Sequence, residues 1–149
     1  MNPNLYRIVF SRPRGTVVAA SFAFAALTRL QAQVVADPSA PGRQQPTVLT
    51  TGNGLPLVNI QTPSAAGVSR NAYRRFDVQA RGAVLNNARG STKTALGGWV
   101  PGNPWLAGGG ARVIVNEVNS SQPSLLRGTL EVAGSRAQVV IANPAGISC

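Results

Sequence analysis

Gly97-Gly98-Trp99-Val100-Pro101-Gly102-Asn103-Pro104-Trp105-Leu106-Ala107 opens a stretch that runs on through Gly108-Gly109-Gly110 and three apolar runs to Asn143-Pro144-Ala145-Gly146-Ile147. Two Asn-Pro turns thus bracket a block of β-branched, alternating sequence. Within it Val113 and Val115 alternate with Arg112, Ile114 and Asn116, so both faces of that strand carry apolar side chains. Leu130 and Val132 alternate with Thr129, Glu131 and Ala133; Gly134-Ser135 turns the chain, and Ala137 to Ala142 enters the second Asn-Pro turn. Val113, Val115, Leu130, Val132, Val139 and Ile141 are the side chains expected in the core, each contributing about 1.5–3 kcal/mol. Strands this short, punctuated by Gly and Asn, predict an all-β solenoid or sandwich.

Upstream, Thr47-Val48-Leu49-Thr50-Thr51 reads as a strand, turned by Gly52-Asn53-Gly54 into a second strand over Leu55 to Gln61. Residues 65–75 read as an irregular loop. Alternation resumes at Arg74 to Gln79, with Phe76 and Val78 on one side, and Ala83 to Asn87 gives another short strand. No 3.6-residue period appears after residue 33. The strand-end asparagines Asn59, Asn86, Asn116 and Asn143 fit two arrangements, a side-chain ladder between coils or independent turn residues. Residues 33–46, with Pro38, Pro41, Gly42 and Pro46, read as a linker or extended lead-in to a domain spanning 47–149.

Residues 1–32 divide into a long basic region with Arg7, Arg12 and Arg14, an apolar run from Gly15 to Leu27, and Leu30-Gln31-Ala32. This is the layout of a secretory signal peptide, and the run is shorter than the ~20 residues that span a bilayer. Cleavage is placed between Ala32 and Gln33, with Ala36 as the fallback.

The composition narrows the chemistry. The chain has no His, one Cys, and four acids, Asp37, Asp77, Glu117 and Glu131, none close to another in sequence. A His-based nucleophile is excluded, and a zinc site has too few ligands; the reading is no enzyme, no metal and no cofactor. The net charge is +10. Arg7, Arg12, Arg14 and Arg29 fall before the cut, which leaves ten basic and four acidic groups, or +6, dispersed except for Arg74-Arg75. With neither clustered charge nor a basic run beside Trp99 or Trp105, nucleic acid is not an expected partner.

Gly54-Leu55-Pro56-Leu57-Val58-Asn59-Ile60, Gly98-Trp99, Asn103 to Gly109, and Ala111 to Val118 resemble the secretion domain of two-partner secretion exoproteins. Leu126-Arg127-Gly128, Glu131 to Gly134 and Ala137 to Pro144 resemble it too. This is the haemagglutination-activity domain at the start of filamentous haemagglutinins and contact-dependent growth-inhibition toxins. The first 15 residues likewise resemble the extended signal peptide region of large exported proteins of Gram-negative bacteria. The family's Asn-Pro-Asn-Leu and Asn-Pro-Asn-Gly-Ile motifs stand here as Asn103-Pro104-Trp105-Leu106 and Asn143-Pro144-Ala145-Gly146-Ile147, with Trp105 and Ala145 in place of the second Asn.

The resemblance implies a right-handed parallel β-helix with an N-terminal cap and short extra-helical strands. It implies a non-enzymatic export module, sent through the general inner-membrane machinery. An outer-membrane pore-forming transporter then recognises it through periplasmic domains, at Asn103, Pro104, Leu106, Asn143, Pro144, Gly146 and Ile147. The module is expected to fold outside the cell and seed a longer adhesive shaft, secreted or held at the surface. Contact with host or neighbouring cells is assigned to a downstream region. Family members run to hundreds or thousands of residues, so the chain reads as a fragment, a truncated gene or a short product keeping only the export module. The alternative is a stand-alone adhesive or carbohydrate-binding β-domain that stacks sugars on Trp99 and Trp105, whose Gly-rich surroundings otherwise favour close packing of both rings.

Overall fold

Alternating apolar runs broken every few residues by Gly, Asn and Pro favour short strands over helices. The computed structural model, which describes residues 33–149, is accordingly all-β. Its strands are β1 (Val34–Ala36), β2 (Thr47–Thr50), β3 (Pro56–Asn59), β4 (Val68–Phe76), β5 (Ala83–Asn87), β6 (Thr92–Thr94) and β7 (Gly98–Val100). They continue with β8 (Val113–Val118), β9 (Ser124–Leu125), β10 (Leu130–Gly134), β11 (Gln138–Ala142) and β12 (Ile147–Ser148). The segment expected to be a signal peptide, residues 1–32 with Ala32 at its end, lies outside the described residues.

Two four-stranded sheets carry the fold, ordered β10-β5-β3-β2 and β1-β4-β8-β11. In the first, β3, β5 and β10 are parallel and β2 closes the edge antiparallel to β3. In the second, β4, β8 and β11 are parallel and β1 closes the edge antiparallel to β4. A third line of parallel contacts joins Val78 to Leu126 and β9 to β12. The sheets enclose a core around Val58, Ile60, Tyr73, Phe76, Leu85, Ile114, Leu126 and Val139. A smaller cluster of Leu57, Val84, Val100 and Ala133 forms where the β6–β7 hairpin covers the outer face of the first sheet.

Three expectations are corrected. Residues 65–75 hold most of β4, the longest strand, rather than a loop. Its inward positions include Ser69 and Asn71, both fully buried, which disguise the strand in sequence. Burial is tolerated because Ser69 Oγ donates to Gln61 O (2.6 Å) and Asn71 Oδ1 accepts from Gln61 N (2.8 Å). The start of residues 33–46 is packed rather than a free lead-in: β1 pairs with β4, and Val34 is 2% exposed, while Pro38, Ser39 and Pro41 to Arg43 are exposed. Finally, β8 is turned over relative to expectation. Ile114, Asn116 and Val118 face the core, while Val113 and Val115 are only partly buried. Asn116 is held inside by the Tyr73 hydroxyl, which donates to its Oδ1 (2.8 Å), and by its own Nδ2 bond to Val140 O (3.2 Å).

The asparagines form two short stacks instead of one ladder. Asn59 and Asn86 are register partners joined by Asn86 Nδ2 to Asn59 Oδ1 (2.9 Å), and Asn71 faces Asn116 across β4 and β8. Asn143 stands apart from both, in a turn.

Candidate functional site: two Asn-Pro turns

Both Asn-Pro turns are built on one hydrogen-bond pattern. Asn103 Oδ1 accepts from Trp105 N (2.9 Å) and Asn103 O accepts from Leu106 N (3.1 Å). Asn143 Oδ1 accepts from Ala145 N (2.9 Å) and Asn143 O accepts from Gly146 N (2.9 Å). In each, proline presets the backbone for a turn, and the Asn side chain caps the N–H two residues on. The position occupied by Trp105 and Ala145 contributes its backbone N–H alone, so losing the second Asn costs the turn none of these bonds.

The remaining donors of each asparagine lock the turn onto earlier chain. Asn103, 2% exposed, donates from Nδ2 to Ile60 O and Asn86 O (both 2.9 Å), while its own N–H reaches Ala88 O (2.8 Å). Leu106, 1% exposed, plugs the core, and Arg89 clamps the turn through Nε to Leu106 O (3.2 Å) and Nη2 to Ala107 O (2.8 Å). Asn143 is half-buried and donates from Nδ2 to Gln122 O and Ser124 Oγ (both 3.0 Å). Gly146 has φ +113°, a conformation suited to glycine, and lets the chain enter β12. Pro104, Pro144 and Ile147 are exposed.

The two turns are not brought together. They border separate cavities, of ≈ 420 Å³ beside Arg89 and Asn103 and ≈ 440 Å³ beside Arg74, Asp77, Ser124 and Asn143. The first cavity has the Arg89 guanidinium and the Asn103 amide in its wall, and the second has Arg74, Arg75, Asp77, Ser124 and Asn143. Sequence reasoning did not find Arg89 or Ser124; the signal for both is only visible once the chain folds back on itself.

A second polar knot ties the N-terminal segment down. Asp37 accepts from the Ser39 hydroxyl (2.6 Å), Ser39 N (2.9 Å) and Asn119 Nδ2 (3.0 Å). The Ser39 hydroxyl, then Asn119 and the Ser39 N–H, hold its pKa down from 3.8 to about 2, with burial opposing and Arg74 assisting. Burial pushes the Tyr73 hydroxyl well above its ordinary value.

The tryptophans depart from the close packing expected of them. Trp99 is 70% exposed and Trp105 42% exposed.

Residues 32–149 match the family described as the TPS secretion domain. The chain belongs to the TPS secretion domain family. Toxin CdiA of Yersinia pestis is 52% identical over the whole chain, and tRNA nuclease CdiA-2 of Burkholderia pseudomallei (strain 1026b) is 39% identical over 99% of it. This TPS secretion domain spans 6% of the length of each, so the toxin and nuclease names describe proteins far longer than the region compared. The crystal structure of a filamentous hemagglutinin secretion domain superposes with a TM-score of 0.69 at 39% identity, covering 78% of this chain and 37% of that one. The matches place the chain with secretion modules of two-partner exoproteins and agree with the all-β fold.

Proposed function

We propose that this TPS secretion domain is the non-enzymatic export signal of a large adhesin or contact-dependent inhibition protein. An outer-membrane two-partner transporter reads it before it folds. The observation that carries this reading is the fate of the two motifs in the folded chain. Asn103 and Leu106 are buried, and the Nδ2 donors and Oδ1 acceptors of both asparagines are occupied. A receptor that needs those side chains meets them before the fold closes. Asn103, Pro104, Leu106, Asn143, Pro144, Gly146 and Ile147 then serve twice, as recognition marks in the extended chain and as turns in the folded one.

The three lines of parallel contacts support successive coils of a right-handed parallel β-helix, capped by β1 and β2. Each Asn-Pro turn bonds backwards, to Ile60 and Asn86 or to Gln122 and Ser124. Earlier coils thereby template later ones, which lets folding outside the cell proceed without an energy source and seed whatever follows. A boundary between Ala32 and Gln33 fits this unit: the family match begins at residue 32, and Gln33 O already accepts from Asp77 N (2.8 Å). Residues 1–32 then act as the extended signal peptide for the inner-membrane machinery, and the product ends in the medium or on the cell surface.

Secretion with and without the partner pore tests the reading. Export to the medium is expected only with the pore, and Asn143-Pro144→Ala-Ala should leave the chain in the periplasm. Equal export without the pore contradicts it.

A further inference from the structure

The outer face of the first sheet carries Leu57, Val84 and Glu131 in one register row, and Asn59, Asn86 and Ala133 in the next. The β6–β7 hairpin covers it: Val100, with Leu96 of the hairpin turn, packs on Leu57, Val84 and Ala133. Leu57 and Val84 are 2% and 0% exposed beneath it. The third member of their row is a carboxylate. Apolar burial alone does not select Glu at such a position, because a half-buried carboxylate must find partners.

The hairpin turn supplies them. Thr94 closes that turn from within, its Oγ1 accepting from Gly97 N (2.9 Å) and its hydroxyl donating to Gly98 O (2.7 Å). The two adjacent N–H groups of Ala95 and Leu96 go instead to Glu131, one to Oε1 and one to Oε2 (both 2.8 Å). A carboxylate accepting two backbone N–H groups makes charge-assisted bonds, about twice as strong as neutral ones. Beside this clamp, β6 packs against β10 itself. Earlier chain holds the hairpin only through neutral amides: Asn53 Nδ2 donates to Leu96 O at the turn, and Asn86 Nδ2 to Pro101 O beyond β7 (both 2.9 Å).

The strong clamp comes from late in the chain. Glu131 follows Ala95 by 36 residues and Leu96 by 35, and β8 and β9 lie between. The hairpin pairs its own neighbouring strands, so its formation is local. Its seat on the sheet depends on β10, which brings both Glu131 and Ala133.

We propose that Glu131 is a latch that fixes the β6–β7 hairpin as a lid on the first sheet once β10 has joined β5. Closure of the lid then follows completion of the sheet. This deepens the export reading above: when the N-terminus leads, the hairpin is outside the pore before its latch, and the row of Leu57 and Val84 stays uncovered until β10 arrives. Glu131 is thus a positioning residue for folding rather than a mark read by the transporter.

Native-state hydrogen exchange on the purified full chain, resolved at single amides, tests the latch. Glu131→Ala should speed exchange at Ala95 and Leu96 at least tenfold, since each loses a bond to a charged acceptor. Glu131→Gln keeps one acceptor oxygen and should do so at only one of the two. Amides of the β3–β5 and β4–β8 ladders should exchange as in the parent chain. Equal acceleration at every amide makes Glu131 an ordinary contributor to stability and overturns the proposal; no acceleration at Ala95 and Leu96 overturns it too. Pulse labelling during refolding from denaturant reads the order of events. Ala95 and Leu96 should gain protection with or after the amides of β10, and protection ahead of β10 contradicts the latch. Neither measurement contains a transporter, so a negative result leaves the export reading standing, and a failed export test leaves the latch standing.

Discussion

At Asn103 a single amide does three jobs: it caps Trp105 N and holds the carbonyls of Ile60 and Asn86. Replacing it with Ala leaves buried polar groups unsatisfied, so Asn103→Ala should lower stability by about 2–4 kcal/mol in denaturant unfolding. Asn143→Ala removes the same kinds of bond at a half-buried site, and should cost about 1 kcal/mol. Trp105→Asn restores the residue of the family motif and should keep the turn, which draws on the backbone there, while costing about 1 kcal/mol through the lost indole bond to Thr47 Oγ1. The importance of Asn-Pro was legible from turn chemistry and resemblance. What was not legible is which asparagine matters, since a sequence does not say whether a side chain or a backbone group fills a given hydrogen bond. The exposure of Trp99 was equally hidden: glycine neighbours permit close packing without requiring it.

At the scale of elements, strands with apolar alternation, β2, β3, β5, β10 and β11, could be read directly, and those whose inward residues are polar could not. In β4, Ser69 and Asn71 face inward; in β8, Asn116 does, which inverted the expected parity. Buried polar side chains reverse a period-2 reading because their burial depends on partners far away in sequence, such as Gln61 and Tyr73. Close approach between chain segments shows at Gly128, where an added Cβ would overlap Gln79 O and the backbone of Ala80. Gly128→Ala must therefore push the 79–80 and 127–129 segments apart, and is expected to destabilise by about 3 kcal/mol or more, with early proteolysis. The N-terminal segment is sensitive to acid. Asp37 titrates lower in the fold than in the unfolded chain, so its contribution is complete above pH 3.8 and is lost as pH falls through about 2. Thermal melts between pH 5 and pH 2 should fall, and Asp37→Asn should flatten that fall.

For the whole molecule, the proposed reading gives the same few residues a part in both export and fold. Parallel pairs that join successive segments, and turns that bond backwards, give a chain whose folding can follow its passage through a pore. Binding of purified transporter periplasmic domains to the chain, denatured and folded, tests this most directly. The account predicts binding to the unfolded chain, weakened by combined Asn103-Pro104 and Asn143-Pro144→Ala-Ala changes, and none to the folded chain. Equal binding to the folded chain, or unimpaired binding of the unfolded variant, would contradict it.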